Sequence, residues 1–424
     1  MNRATIKKVA AVLAALAVTA TACSTKGSGG GGSSESGGVK TGRGVTAKTI
    51  NLGVLTDLHG EFAVGGTTGT LGNQLFWNDA NAKGGICGRQ VKLTVKDHGY
   101  DVQQAVTEYA QIKDNVLALQ QLLGSPMTAS LSPQLKAQQM LAIPESWAST
   151  LLSNPDIMIV GETYDVELIN GVDYLMEKGK LHRGDTIGHI YQEGEYGEDG
   201  LLGTKYAAKK LGLKLIPQKI KGSDTDVSAQ ITNLKNAGAK AIFMTTGPKQ
   251  FASAAGASVA AGYNVPIVGN SPVFVPGLLN TSAGAALQQN TYVLGPNLSL
   301  NAKNPVIQKL LKTLKQKHPD VPVYAGVVWG YGAASALSKV LQKACANKDL
   351  TPQGVQNAFR SLSNLDTQGV IVPLNYTKKG APPSDQSYIF QPDKNAVGGL
   401  KRIENKPYTG KDVAGYKAPA LGGS

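Results

Sequence analysis

The sequence predicts an α/β fold, in which strands and helices alternate along the chain and the strands lie parallel in their sheets. The first observation is the segment Thr49–Asp97, which holds an apolar run, a glycine-rich loop, a helical pattern ending in glycines, and an alternating run. This order is a βαβ unit, whose two strands are expected to be parallel. The second observation is that the alternation continues and begins again near Asp165. A chain of 424 residues is long enough for two domains.

The periodicity of apolar residues and the positions of glycines at the ends of helices predict the other elements in chain order. Further strands are predicted over Val116–Leu123, Leu141–Pro144, Asp156–Val160, Thr186–Tyr191, Leu213–Ile220, Ala241–Thr245, Pro266–Gly269, Thr367–Asn375 and Ser387–Gln391. Further helices are predicted over Ala105–Asp114, Thr128–Gln139, Asp165–Lys178, Leu201–Leu211, Asp226–Ala237, Gln250–Ala261, Ala302–Lys317, Ala325–Cys345 and Gln353–Leu362. Ligands of open parallel sheets bind beyond the carboxyl ends of the strands, so the loops that follow the strands are the expected site.

The start of the chain predicts export. Basic residues precede the apolar run Val9–Ala20, and small residues follow it, which is the order of a secretory signal over residues 1–22. Small residues directly before Cys23 resemble a bacterial lipoprotein signal, in which Cys23 becomes the lipidated first residue, although Ala20 stands where leucine is usual. The alternative is ordinary secretion with an incidental cysteine. Residues 23–44 are rich in Gly and Ser, which predicts a flexible tether.

Composition and motifs argue against two classes of function. The formal net charge is +13, but the lysines are scattered and no arginine cluster occurs, so we expect no nucleic-acid partner. No GxxxxGK[ST], GxSxG or HExxH motif is present, so we expect no catalytic residues, no metal and no cofactor. Asp224 and Asp226 form a candidate carboxylate pair, but an Asp before a helix is more often a cap. A secreted enzyme is therefore the less favoured alternative.

Two cysteines remain besides Cys23, and they form an even pair in a chain predicted to be exported. Such pairs usually form disulfides, so we predict a bond between Cys87 and Cys345. The alternative is two buried free thiols.

Five stretches occur in an order and spacing that together are specific to one family. They are residues 81–89 (NAKGGICGR), Asp97, residues 103–106, residues 196–200 and residues 224–231. Together they resemble the solute-binding proteins of branched-chain amino acid ABC importers, which are type I periplasmic binding proteins. The resemblance covers nearly all of Thr49–Gln391.

This resemblance implies two Rossmann-like lobes with parallel-rich central sheets, joined by a three-strand hinge. One lobe would comprise residues 45–162 and 298–367, and the other residues 163–297 and 368–424. The crossovers would fall near Gly161, Gly295 and Gly369. Lobes linked in this way close over a ligand by hinge motion. Both cysteines would belong to the first lobe, so their disulfide would not cross the hinge.

The resemblance also implies where a ligand is held. Ser125 matches a serine that holds the ligand carboxylate, and Ser146, Trp147 and Ala148 match the segment that continues this cradle. Tyr196 matches a tyrosine supplied by the other lobe on closure. The remaining implied contacts are Thr246, Gly247, Ser271 and Tyr331. Tyr331 has an equally good interpretation as a core residue, because its helical spacing fits packing.

The chain departs from the amino-acid binders at Ser271, where they carry an acid that pairs with the ligand ammonium. A buried ammonium needs such a partner. Glu145, beside the cradle, is the candidate substitute, and Gly65 stands where many members have a bulkier side chain. A small organic acid, aromatic acid or amide is therefore favoured over a branched-chain amino acid.

The function implied is that of a binding lipoprotein that captures a small polar solute, an amino acid or another small carboxylate, aromatic acid or amide, in the cleft between the lobes and delivers it to the permease of an ABC importer. We expect a monomer, anchored by lipid on the extracellular face of a cell membrane of Gram-positive type. The alternative is an extracellular sensor of the same fold, coupled to a signalling partner.

Overall fold

The computed structural model describes residues 34–419. The predicted signal sequence, Cys23 and the first part of the predicted tether lie outside the described residues. The strands are β1 (Ser34–Ser36), β2 (Val39–Thr41), β3 (Thr49–Thr56), β4 (Gln90–Asp97), β5 (Ala118–Leu123), β6 (Ala142–Glu145), β7 (Thr186–Gln192), β8 (Lys214–Ile220), β9 (Ile242–Thr245), β10 (Ile267–Gly269), β11 (Thr291–Gly295), β12 (Asp349–Leu350), β13 (Tyr388–Pro392) and β14 (Leu400–Arg402). The helices are α1 (Ala63–Ala82), α2 (Val102–Ile112), α3 (Ser125–Ala137), α4 (Tyr164–Glu177), α5 (Glu195–Leu211), α6 (Ser228–Asn236), α7 (Pro248–Ala260), α8 (Gly284–Asn290), α9 (Pro305–Lys317), α10 (Ala325–Ala346) and α11 (Pro352–Arg360).

The first sheet contains four parallel strands in the order β4-β3-β5-β6. Every residue of β5 is buried, as expected for a central parallel strand with helices on both faces. Helix α1 packs along α10, so a late segment of the chain completes the cover of this early sheet. Gly72 and Gly330 allow this close packing, because a Cβ at either position would lie within 2.3 Å of the partner helix backbone.

The second sheet contains seven strands in the order β14-β13-β11-β10-β9-β7-β8. The strands from β8 to β11 are parallel, and β13 and β14 join the edge of β11 in antiparallel orientation. Both sheets are thus parallel-rich, which confirms the predicted fold class.

The chain passes between the two sheets three times. The first passage leaves β6 and contains Gly161, whose φ of 136° is one that residues with a side chain rarely adopt. The second follows β11, and the third precedes β13. These last two pair with each other, since the Leu298 N–H donates to the Val370 carbonyl at 2.8 Å and the Val372 N–H donates to the Pro296 carbonyl at 3.0 Å.

The second half of the predicted tether differs from the expectation. β1 and β2 form a hairpin, and β2 pairs in parallel with β12, giving a three-stranded sheet. Val39 and Thr41 are buried while Lys40 between them is exposed, which is the alternation of a half-buried strand. The Gly and Ser content hid this short pattern, and the partner strand lies some 300 residues away in sequence.

The two cysteines are bonded to each other, as predicted. Cys87 and Cys345 have a Cα–Cα distance of 6.2 Å and a sequence separation of 258 residues. The bond joins the turn after α1 to the last turn of α10, the two helices that pack on the first sheet. Within residues 34–419 no helix is long and apolar enough to cross a membrane.

Candidate functional site

A cavity of about 330 Å³ lies at the carboxyl ends of the strands of both sheets. This volume falls within the range of about 300–1,000 Å³ that is typical of small-molecule sites. The first sheet and its helices contribute Glu61, Phe62, Val64, Gly65, Tyr100, Leu123, Gly124, Ser125, Glu145, Trp147, Tyr324, Ala325, Gly326 and Trp329. The second sheet, its helices and the passages between the sheets contribute Tyr164, Tyr196, Pro248, Lys249, Ser271, Pro272, Val275, Leu278, Val293, Leu294, Gly295, Asn297, Leu298, Ser299, Leu300, Phe390, Val397, Gly398 and Leu400.

Ser125 provides a hydroxyl at the end of β5, at the first residue of α3. Gly124 before it has a φ of 100°, a conformation that lets the strand turn directly into the helix. The Ser125 hydroxyl lies 2.6 Å from the hydroxyl of Ser146, and the phenol of Tyr164 lies near it. Burial holds the pKa of Tyr164 well above its ordinary value, so the phenol stays a neutral donor. This cluster can bind a carboxylate or another acceptor group.

An aromatic wall runs across the cavity from one sheet to the other. Successive ring centroids are 4.7–6.3 Å apart along the series Trp329, Trp147, Tyr164, Tyr196, Phe62 and Tyr100. The indole N–H groups of Trp147 and Trp329 both donate to the Val160 carbonyl, at 3.0 and 3.1 Å. Since these donors are already engaged, the two indoles present apolar surface to a ligand.

Tyr196 contributes its ring rather than its hydroxyl. The hydroxyl lies 2.9 Å from the Thr246 carbonyl and 2.8 Å from Asn270 Oδ1, both on loops of the second sheet. These bonds hold the ring between Tyr164 and Phe62.

Glu145 ends β6 and enters the cavity from the side of α1. Its Oε2 accepts a hydrogen bond of 2.7 Å from Gln121 Nε2. Burial raises its pKa to about 8, against the opposing effect of the Gln121 hydrogen bond. Gly65 and Gly69 face it from α1, where a Cβ would lie 3.3 and 3.1 Å from its oxygens.

The remaining wall is apolar and belongs mainly to the second sheet. Its side chains are Pro272, Val275, Leu278, Val293, Leu298, Leu300, Phe390, Val397 and Leu400. Lys249 is the basic side chain of the lining, and Glu61 and Glu145 are its acids. The cavity therefore combines a few polar groups with a wall that is largely hydrocarbon.

Buried carboxyl groups stand behind the cavity, where the first passage enters α4. Glu162, Asp165, Glu167 and Asp199 are each 1% exposed or less. Burial raises the pKa of Glu162 to about 8 and the pKa values of the other three above their ordinary values. The Ser271 N–H donates to Glu167 Oε2 at 3.2 Å, and the Ser271 hydroxyl donates to Oε1 of the same carboxyl group. Among the described residues no cluster of His, Cys, Asp and Glu is arranged to hold a metal ion.

Comparison with known proteins agrees with this architecture. The periplasmic binding protein family matches residues 49–396, which is most of the chain. The chain belongs to the periplasmic binding protein family. A fatty acid ABC transporter substrate-binding protein from Thermomonospora curvata is 41% identical with a TM-score of 0.86, over 91% of this chain and 98% of that one.

More distant solved structures share the fold of this binding protein. A branched-chain amino acid ABC transporter from Thermus thermophilus with bound valine is 16% identical with a TM-score of 0.75, over 87% of this chain and 98% of that one. A leucine-binding protein from Thermotoga maritima is 17% identical with a TM-score of 0.72, over 86% of this chain and 99% of that one. No curated protein sequence matches. The resemblance to ABC-transporter binding proteins of the leucine/valine type is confirmed, and the family consists of binding proteins rather than enzymes.

The structure brings together some of the residues that the resemblance selected. Ser125, Trp147, Tyr196 and Ser271 line the cavity. Ser146, Ala148, Thr246, Gly247 and Tyr331 do not. Ser146 lies behind Ser125, and Thr246 holds the hydroxyl of Tyr196 through its carbonyl. Gly247 precedes α7 and faces Glu61, because a Cβ there would lie 2.3 Å from Glu61 Oε1. Tyr331 packs edge-to-face on Phe76 in the α1–α10 contact.

Sequence reasoning did not select several cavity residues. Phe62, Tyr100 and Tyr164 complete the aromatic wall, but single aromatic residues in loops or at the first position of a helix carry no periodic signal. The apolar wall was missed because Val275, Leu278, Leu300 and Leu400 have the composition of ordinary core residues. A run of apolar residues at 272–279 was an available signal, since the sequence predicts no strand or α-helix there and the structure has only short 3-10 helices.

Proposed function

We propose that this protein is the substrate-binding component of an ABC importer and that its ligand is a fatty acid of medium chain length. The observation that carries the proposal is the composition of the cavity. Ser125 and Glu145 are the polar groups at the strand ends of the first sheet, while the wall on the side of the second sheet is mostly hydrocarbon apart from Lys249, Ser271, Asn297 and Ser299. A ligand with one polar head and one alkyl tail matches that division.

Three further points support a fatty acid over an amino acid. The relative from Thermomonospora curvata, at 41% identity, is described as a fatty acid ABC transporter substrate-binding protein. Ser271 supplies no charge, and the acid behind it, Glu167, is occupied by Ser271 itself. A ligand ammonium would therefore lose its water without gaining the partner that amino-acid binders provide. The sequence favours a small organic acid, aromatic acid or amide over an amino acid, and in its place we propose a carboxylate with a hydrocarbon tail.

We also propose the lobe division of residues 45–162 with 298–367, and of residues 163–297 with 368–424. Strands β3–β6 fall in the first set and β7–β11, β13 and β14 in the second, which supports it. Closure of these lobes on the ligand would form the surface that the permease of the importer recognises.

Anchoring through a lipid on Cys23 would keep the monomeric protein at the extracellular face of the membrane. An extracellular sensor of the same fold remains the second candidate, since it would use the same cavity.

Calorimetry tests the ligand class. The exported protein carrying Cys23→Ala, delipidated on a hydrophobic resin, is titrated with decanoate and with leucine. We expect micromolar or tighter binding of decanoate and no binding of leucine. Tight binding of leucine or valine with no binding of decanoate would overturn the proposal.

A pair of variants separates cavity chemistry from general damage. Val275→Asp places a charge on the hydrocarbon wall and should abolish decanoate binding. Val259→Asp makes the same change at a side chain that is 47% exposed outside the cavity and should leave binding unchanged.

Intact-mass analysis of membrane-extracted protein tests the lipid on Cys23 separately, because an unlipidated mature chain would contradict the anchor.

A further inference from the structure

A ligand in the cavity can approach one side of the Glu145 carboxyl group. It is the last residue of β6, so its side chain enters the cavity where the strand ends. Two glycines of α1, Gly65 and Gly69, face the carboxyl group. Any side chain at these two positions would crowd the carboxyl oxygens, with Cβ distances of 3.3 and 3.1 Å. The glycines therefore leave room for a ligand atom beside Glu145.

A directional chain of hydrogen bonds decides which oxygen of Glu145 is free. An indole N–H can only donate, and Trp77 Nε1 donates to Gln120 Oε1 at 2.9 Å. Gln120 Nε2 must then donate to Asn73 Oδ1 (3.0 Å), and Asn73 Nδ2 to Gln121 Oε1 (2.7 Å). The amide of Gln121 is thereby oriented with Nε2 toward Glu145, where it donates to Oε2. Oε1 of Glu145 has no hydrogen-bond partner among the described residues, and Glu145 lines the cavity.

Apart from the hydrogen bond from Gln121, the groups around Glu145 do not favour its ionised form. Asp57, from the loop after β3, acts on it as a like charge, and Tyr324, before α10, is the titratable side chain on the other side. No Lys, Arg or His in residues 34–419 forms an ion pair with Glu145 at contact distance, and the lining lysine, Lys249, belongs to α7, on the side of the second sheet. Burial raises the pKa of Glu145 to about 8, so the group is mostly protonated at neutral pH.

We propose that Glu145 is itself a neutral carboxylic acid when the ligand binds. It donates a hydrogen bond from its Oε1–H to the ionised carboxylate of a fatty acid. The inference rests on the proposed function and deepens it. Gln121 holds Oε2, so the proton resides on the oxygen that faces the ligand. The two carboxyl groups share one proton and one negative charge, and a charge-assisted O–H···O⁻ bond of this kind is strong in an apolar cavity. No proton needs to be taken up or released on binding below the pKa of Glu145.

This arrangement also sets the specificity of the head group. A neutral acid donor favours a ligand oxygen that accepts, and it offers no fixed charge to an ammonium. The proposal therefore assigns to Glu145 the opposite role from an acid that pairs with the ammonium of an amino acid.

The test is the pH dependence of decanoate affinity, measured by calorimetry from pH 6 to 9.5 on the delipidated chain. Wild-type affinity should be constant up to about pH 8 and then fall up to tenfold per pH unit as the donor is lost. Glu145→Gln keeps a donor, because its amide can present N–H to the ligand and C=O to Gln121. This variant should bind within about threefold of wild type at pH 7 and show no fall up to pH 9.5. Glu145→Ala should bind at least about tenfold more weakly, since it leaves the ligand oxygen unpaired.

The matched control is Glu162→Gln, which changes a buried acid whose pKa is also raised to about 8 but which does not line the cavity, and it should retain the wild-type pH profile of decanoate affinity. Wild-type affinity that is unchanged at pH 9.5, or Glu145→Gln binding as weakly as Glu145→Ala, would overturn the role of Glu145. Tighter binding of decylamine than of decanoate at pH 7 would overturn it too, because that result requires an ionised Glu145. If decanoate binds at no pH, the proposed function fails instead. If Glu145→Ala does not fold, the wild-type and Glu145→Gln profiles decide the matter.

Discussion

The length of the fatty acid tail should control affinity in a way that the cavity dimensions set. Each methylene that leaves water for an apolar wall contributes about 0.8 kcal/mol, which is about fourfold in affinity. A cavity of about 330 Å³, divided by the roughly 30 Å³ that a water-sized group occupies, holds on the order of eleven such groups. Affinity should therefore rise about fourfold per carbon from hexanoate and level off near ten to twelve carbons.

Calorimetry at pH 7 on the even-numbered acids from six to sixteen carbons measures this slope and its end. The heat-capacity change of binding should grow more negative over the same range, since apolar burial sets it. Val275→Trp, which fills part of the hydrocarbon wall, should move the plateau to shorter chains without changing the initial slope. Affinity that does not depend on tail length, or that still rises at sixteen carbons, would refute the inference that this cavity contains the tail.

Three further predictions concern stability and the free oxygen of Glu145. Replacing both disulfide-bonded cysteines by serine should lower the free energy of unfolding by about 2–5 kcal/mol, because the bond closes a loop of 258 residues. The same double variant should leave decanoate affinity unchanged. Urea denaturation measures the free energy of unfolding, and calorimetry measures the affinity. Glu162 has its pKa raised from 4.5 to about 8, so the folded state holds its proton more tightly and stability falls as pH rises through that interval. Glu162→Gln should reduce this fall by about 1.4 kcal/mol per pH unit in urea titrations at pH 5–8, and equal slopes in both proteins would contradict it. Gly65→Ala should raise the melting temperature through helix propensity but weaken decanoate binding, because the added Cβ crowds Glu145. Gly256→Ala should raise the melting temperature and leave decanoate binding unchanged, since the nearest neighbour atom lies 3.9 Å from the added Cβ.

The fold class and the protein family could be predicted from the sequence because the signals for both are local. The alternation of apolar runs, helical patterns and glycines between Thr49 and Gln391 repeats often enough to predict parallel sheets, and five short stretches identified the family. The disulfide was predictable as well, since only two cysteines remained in a chain predicted to be exported. Short elements were less predictable, as β2 shows, because three residues carry too little pattern when their partner is distant in sequence.

The candidate site is different, because its chemistry depends on which distant segments meet. Glu145 was visible as an acid beside the cradle, but only the packing of α1 and β5 against it shows that Gln121 occupies one oxygen, that Gly65 and Gly69 leave the other open, and that burial raises its pKa. The hydrocarbon wall likewise combines loops after β10 and β11 with β13 and β14, which follow only after α9, α10 and α11 along the chain. A leucine in the core and a leucine in a ligand cavity look the same in sequence. What distinguishes them is whether other atoms of the protein fill the space beside them, and only the tertiary structure determines that.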